Sequence, residues 1–112
     1  MDLAFETLPS GALLVSLTGR LDIAGASQVE LRFTALTSGH KSVVVDMAGV
    51  EFMASMGLRM LIMAARSVAS KGGRLVLWRP SELVASVITT AGVDSLLPML
   101  DDRAEAEARV TA

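Results

Sequence analysis

Two short runs, Ser42 to Asp46 (SVVVD) and Arg74 to Trp78 (RLVLW), constrain this chain more than any other feature in it. Neither alternates apolar with polar residues. Each therefore reads as a strand covered on both faces, which requires layers above and below a sheet. Between them the spacing predicts a short loop, Met47 to Ala54, and then a helix from Ser55 to about Lys71, stopped by Gly72-Gly73. Upstream, Leu3 to Leu8 alternates imperfectly, Pro9-Ser10-Gly11 marks a turn, and Ala12 to Thr18 reads as the partner strand of a hairpin. Asp22 is the expected N-cap of a helix running to about Thr37, with Ile23, Ala26, Val29, Phe33 and Leu36 at roughly helical spacing. Downstream, Pro80-Ser81 opens a helix over Glu82 to Ala91, and Val93 to Leu100 forms a loop with a short closing segment. Asp101 to Val110 reads as a final amphipathic helix with acids early against its dipole. Strands alternating with helices after an N-terminal hairpin predict an α/β fold, one mixed sheet with helices packed on it.

A chain of 112 residues accommodates one domain. With 52% hydrophobic residues but only 4% aromatic, its core must be aliphatic. The net charge of −2 offers no electrostatic reason to expect nucleic acid or an anionic membrane as partner. Without cysteine there is neither a disulfide framework nor a thiolate metal site, and the single histidine, His40, cannot build an all-histidine one. Neither a metal nor a cofactor is expected. The opening MDLAFETL lacks a basic region and a long apolar run, so it does not read as a signal peptide. Met56 to Ala65 is interrupted by Arg59 and is too short to cross a bilayer. A soluble cytoplasmic protein is the expectation.

The helix beginning at Ser55 carries the functional question. At ~100° per residue, Leu58, Leu61, Ile62, Ala65, Val68 and Ala69 form one stripe, expected to face the sheet. Met56, Met60 and Met63 fall nearly opposite, flanked by Arg59, Ser67 and Ser70. One reading is that another element covers these methionines or that they are scattered surface residues. The sharper one is a protein-binding patch, since flexible thioethers suit an adaptable apolar surface. Ser55 and Gly57 stand at its entrance.

Ser55 itself admits three readings. As an N-cap, its hydroxyl accepts N–H groups of the first turn, worth ~1 kcal/mol. As a nucleophile it would sit in a G-x-S-x-G elbow, but Met53 occupies the first glycine position. The sole base, His40, also precedes the serine, the reverse of the hydrolase order. As a phosphorylation site it would place ~2 negative charges on free N–H donors at the positive end of a helix, opposing a partner on the adjacent patch.

Several spaced motifs resemble STAS domains, the bacterial anti-sigma-factor antagonists. They are Val43 to Leu58 (VVVDMAGVEFMASMGL), Gly72 to Leu77 (GGRLVL), Thr90 to Pro98 (TAGVDSLLP) and the corner Leu17 to Asp22 (LTGRLD). The resemblance covers Leu3 to about Leu100. It implies a single STAS-type domain over residues 1–112, with a four- to five-stranded mixed sheet, about four helices, and residues 101–112 as a C-terminal helix.

The resemblance also implies a switch. The unphosphorylated protein binds an anti-sigma factor, a serine kinase with a histidine-kinase-like ATPase fold. Phosphorylation releases it, and a metal-dependent serine phosphatase restores binding. In the family motif Asp-Ser-Ser/Thr-Gly the first serine is the acceptor, which falls on Ser55, with the glycine on Gly57. Ala54 stands in place of the motif's aspartate and Met56 in place of its second hydroxyl residue. Since the kinase supplies ATP and metal, the missing aspartate need not abolish transfer. The expected partner surface comprises Ala54, Ser55, Met56, Gly57, Arg59, Met60 and Met63, with no catalytic residue of its own. Other relatives imply an alternative, an unphosphorylated subunit docking on a lipid-transport or other membrane transporter ATPase, or a signalling scaffold.

Overall fold

The computed structural model describes the whole chain, Met1 to Ala112. Its elements run β1 (Asp2–Thr7), β2 (Leu13–Leu21), α1 (Ile23–Ser38), β3 (Ser42–Met53), α2 (Ser55–Ser70), β4 (Arg74–Trp78), α3 (Glu82–Thr90), β5 (Met99–Leu100) and α4 (Arg103–Thr111). The strands form one five-stranded sheet in the order β1-β2-β3-β4-β5. β1 pairs antiparallel with β2, as the hairpin reading expects, and the other pairings are parallel.

Each parallel step is made through a helix, and both sheet faces are covered. Val43, Val45, Leu75 and Leu77 point into the larger core with Phe33, Leu61, Val68 and Ile88 of α1, α2 and α3. Val44, Val76 and Trp78 point the other way, where Ala106 and Val110 of α4 close a smaller core. The unbroken apolar runs in β3 and β4 follow directly from this arrangement. α4 is tied down at both ends. Trp78 Nε1 donates to the Asp101 carbonyl (3.1 Å) and the Ser42 hydroxyl to that of Val110 (2.7 Å).

The expected loop over Met47–Ala54 is instead, up to Met53, the second half of β3. Two register shifts against β2 break the two-residue period, so Met47, Val50 and Met53 are buried at intervals of three. Gly49 permits the close strand approach there, since a Cβ on it would lie 3.0 Å from Thr18 Oγ1. Ile23 does not join the core; at the first position of α1 it is 67% exposed. Ala69, expected to face the sheet, is exposed at the last turn of α2. Asp22 caps α1 as expected, its Oδ1 accepting from Gly25 N–H at 2.8 Å.

A non-glycine residue in left-handed backbone follows β4. Arg79 has φ of +46°. Its guanidinium forks onto Asp46 at 3.0 Å in both contacts and stacks 3.9 Å from the Trp78 ring centre, while its N–H donates to Leu100 O at 2.7 Å. Burial pushes the Asp46 carboxyl up, but the hydrogen bonds from Arg79 and the Ala48 N–H outweigh it and hold it below its ordinary value.

Candidate functional site at the start of α2

The C-terminal ends of β2, β3 and β4 lie at one edge of the sheet, and the helices that follow them all begin there. Asp22 caps α1 and Ser81 caps α3 with their side chains. The start of α2 differs. Its N-cap is Ala54, with extended backbone and no capping side chain, and Ser55 is the first helical residue. The N-cap role expected of Ser55 therefore falls one residue earlier, on a residue that cannot perform it. The cause lies in the backbone. Ala54 N–H donates to Leu21 O (3.0 Å), and Leu58 N–H closes the first turn on Ala54 O (3.1 Å). The N–H groups of Ser55, Met56 and Gly57 consequently have no intrahelical acceptor.

Ser55 is exposed and lines the first of two grooves that flank α2. On one side lies a shallow groove of about 510 Å³ between α2 and α3, floored by Met53, Ala54, Leu58 and Val87. Leu83 stands at its lip, 55% exposed. On the other side a groove of about 310 Å³ between α1 and α2 is lined by Glu30, Met56, Arg59, Met60 and Met63. Met56 and Met63 are 42% and 57% exposed and form an apolar rim. Arg59 is exposed one turn beyond Ser55, on the same helix face.

The expectation of three exposed methionines needs correction at Met60, which is 6% exposed and belongs to the large core. α2 packs against α1 as well as the sheet, so its buried arc is wider than one stripe and takes in Met60 and Ala64. Gly57 is buried too. A Cβ there would lie 2.6 Å from the Leu21 carbonyl oxygen and collide with the Leu21 side chain, so its absence lets α2 settle against β2. Gly57 and Met60 shape this surface from beneath rather than presenting it. His40 is not brought to Ser55. It precedes β3, with Nδ1 2.7 Å from the Leu36 carbonyl, whereas Ser55 follows β3.

The α3 side of the surface escaped the sequence reading. Its signal was present as a second apolar pair, Leu83 and Val87, spaced i, i+4 beside the buried Val84 and Ile88.

The family model described as MlaB, STAS domain, matches residues 5–100. This chain belongs to the STAS family. It is 30% identical over 99 residues to BtrV of Bordetella bronchiseptica, to which the role of anti-sigma factor antagonist is ascribed; the match spans 88% of this chain and 85% of that protein. Among solved structures, one ascribed the same role in Thermotoga maritima superposes with a TM-score of 0.88 at 20% identity, covering 98% of this chain and 95% of that one. The anti-sigma factor antagonist SpoIIAA in its unphosphorylated form gives 0.79 at 21% identity, covering 96% and 95%. The single domain with its five-stranded mixed sheet and four helices is the STAS fold.

Proposed function

We propose that this STAS domain is a phosphorylation-switched anti-sigma factor antagonist. Unphosphorylated on Ser55, it binds and sequesters an anti-sigma factor that is also a serine kinase of histidine-kinase-like ATPase fold. The observation that carries this reading is the exposed Ser55 at the first position of a helix with no side-chain cap, lining one of the two grooves that flank that helix. A partner covering both grooves would bury Met56, Met63 and Leu83 and pass directly over Ser55. The likeness to BtrV supports the reading at the level of the role.

In the switch, Ser55 Oγ forms a bond to the γ-phosphorus of ATP as the bond to the ADP oxygen breaks. The hydroxyl proton passes to a base on the kinase. The phosphate gains the free N–H groups of the first turn and the guanidinium of Arg59 within one turn's reach. Partner release follows from charge: ~2 negative charges would have to be desolvated in an apolar interface. A metal-dependent serine phosphatase returns the hydroxyl. The domain acts in the cytoplasm as a binding module and performs no catalysis of its own.

Purified domain mixed with a candidate anti-sigma factor kinase of histidine-kinase-like fold from the same genome and Mg-ATP tests the reading by intact mass and peptide mapping. One phosphate on Ser55, absent in Ser55→Ala, is expected, and Leu83→Asp should weaken the complex by about tenfold or more without lowering the melting temperature. A phosphate elsewhere with Ser55 untouched would refute it. One observation favours the alternative of an unphosphorylated subunit docked on a membrane transporter ATPase: Ala54 and Met56 both depart from the acceptor motif. In that case Leu83→Asp releases the transporter subunit while Ser55→Asp leaves it bound.

A further inference from the structure

β5 is only two residues long, so the outer edge of β4 is paired only at Leu77 and Trp78. Leu77 N–H donates to Pro98 O (2.8 Å) and Arg79 N–H to Leu100 O (2.7 Å). In the same alternation the next N–H is that of Leu75, which would need the carbonyl of Leu96. The turn that precedes β5 draws Leu96 away, its N–H and that of Leu97 both donating to Val93 O (3.1 and 2.9 Å). Leu75, 4% exposed as a residue, therefore turns its N–H toward the open side of β4, where no carbonyl of the segment before β5 stands in register to accept it. A strand N–H left without a ladder partner is a donor available to a ligand.

The gap left where the ladder opens is a groove of about 280 Å³, open to solvent on one side. Ala65 and Ala69 of α2 and Leu96 and Pro98 wall it with carbon, and Arg74 and Arg109 line it as well. Neither arginine is ion-paired, since the chain's two salt bridges are Arg20–Asp22 and Arg79–Asp46. Arg74 spends one donor, Nη1, on the Arg109 carbonyl (3.3 Å), which leaves most of its fork free. At about 30 Å³ per non-hydrogen atom, the groove has room for roughly nine such atoms.

We propose that this groove is a binding site for a small aliphatic carboxylate. The carboxylate accepts from the Leu75 N–H and the two guanidiniums, and the short hydrocarbon tail lies against Ala65, Ala69 and Pro98. The site is at the end of the sheet where β4 begins, away from Ser55, so it does not depend on the switch.

Titration of ¹⁵N-labelled domain with hexanoate, read by amide chemical shifts, tests the proposal, with hexan-1-ol and sodium chloride as controls. A saturable shift of the Leu75 amide with hexanoate alone is expected. Replacing both arginines, Arg74→Gln with Arg109→Gln, should weaken it by about tenfold or more. Ala69→Leu, at an exposed position, should fill the groove and abolish the shift while the remaining amides keep their positions. The proposal is overturned if Leu75 does not move, if hexan-1-ol or chloride moves it equally, or if the variants titrate like the wild type.

Discussion

Met60 and Met63 lie one turn apart on α2, yet the structure assigns them opposite energetic roles, so Met60→Ala and Met63→Ala form a matched pair. Met60 is 6% exposed within the large core, whereas Met63 is 57% exposed at the groove rim. Truncating a buried methionine costs ~2–5 kcal/mol through lost transfer energy and the cavity left behind. Met60 also borders the grooves between α1 and α2, where solvent and neighbouring side chains can enter the space, which places the cost near the lower limit, about 2 kcal/mol. Met63→Ala removes side chain already in water and should stay within ~0.5 kcal/mol. In urea, with a slope of ~1–2 kcal/mol per molar, Met60→Ala should lower the midpoint by about 1–2 M. Its melting temperature should fall by roughly 8–12 °C while Met63→Ala barely moves. For binding to the proposed kinase partner the order should reverse, because of the two only Met63 is exposed at the surface. Equal unfolding midpoints would refute the packing of α2 against α1 from which these magnitudes come.

Ala54→Asp should supply the missing side-chain cap of α2 and raise stability by ~1 kcal/mol, visible as a rise of several degrees in the melting temperature. Gly57→Ala should destabilise by ~1–3 kcal/mol in denaturant unfolding despite alanine's better helix propensity, because the added methyl meets Leu21. The Asp46–Arg79 fork gives a pH signature. The folded-state pKa of Asp46 lies below its ordinary 3.8, so its contribution is complete above that value and is lost as pH falls through the lowered one. The stability gap between wild type and Asp46→Asn should therefore persist at pH 5–7 and close below about pH 4, as read by melting temperature across that range.

The runs in β3 and β4 were legible because two-sided burial leaves no room for polar alternation, and Asp22 was legible because a carboxylate before a helix has one common use. The far half of β3 was not, since bulges shift the parity on which strand recognition depends and leave Met47, Val50 and Met53 three apart. A helical wheel placed Met60 outside because it allows for one packing partner, and α2 has two. The position of Ser55 in its motif pointed to the site, but the cap depended on a long-range bond from Ala54 to Leu21 that no local pattern encodes. The groove beyond Ser55 went unread because Leu83 and Val87 lie on a separate helix, brought alongside only by the sheet.

The seating of α2 on β2 decides what kind of message a phosphate at Ser55 could convey. Ala54 is bonded to the end of β2, and Gly57 lets the helix backbone lie directly against Leu21, so the first turn is held at two points. A group added there meets an anvil rather than a hinge. The modified and unmodified domains would share one silhouette, and a partner would tell them apart by touch alone, at one phosphoryl group, with no mechanical signal passing to the rest of the molecule.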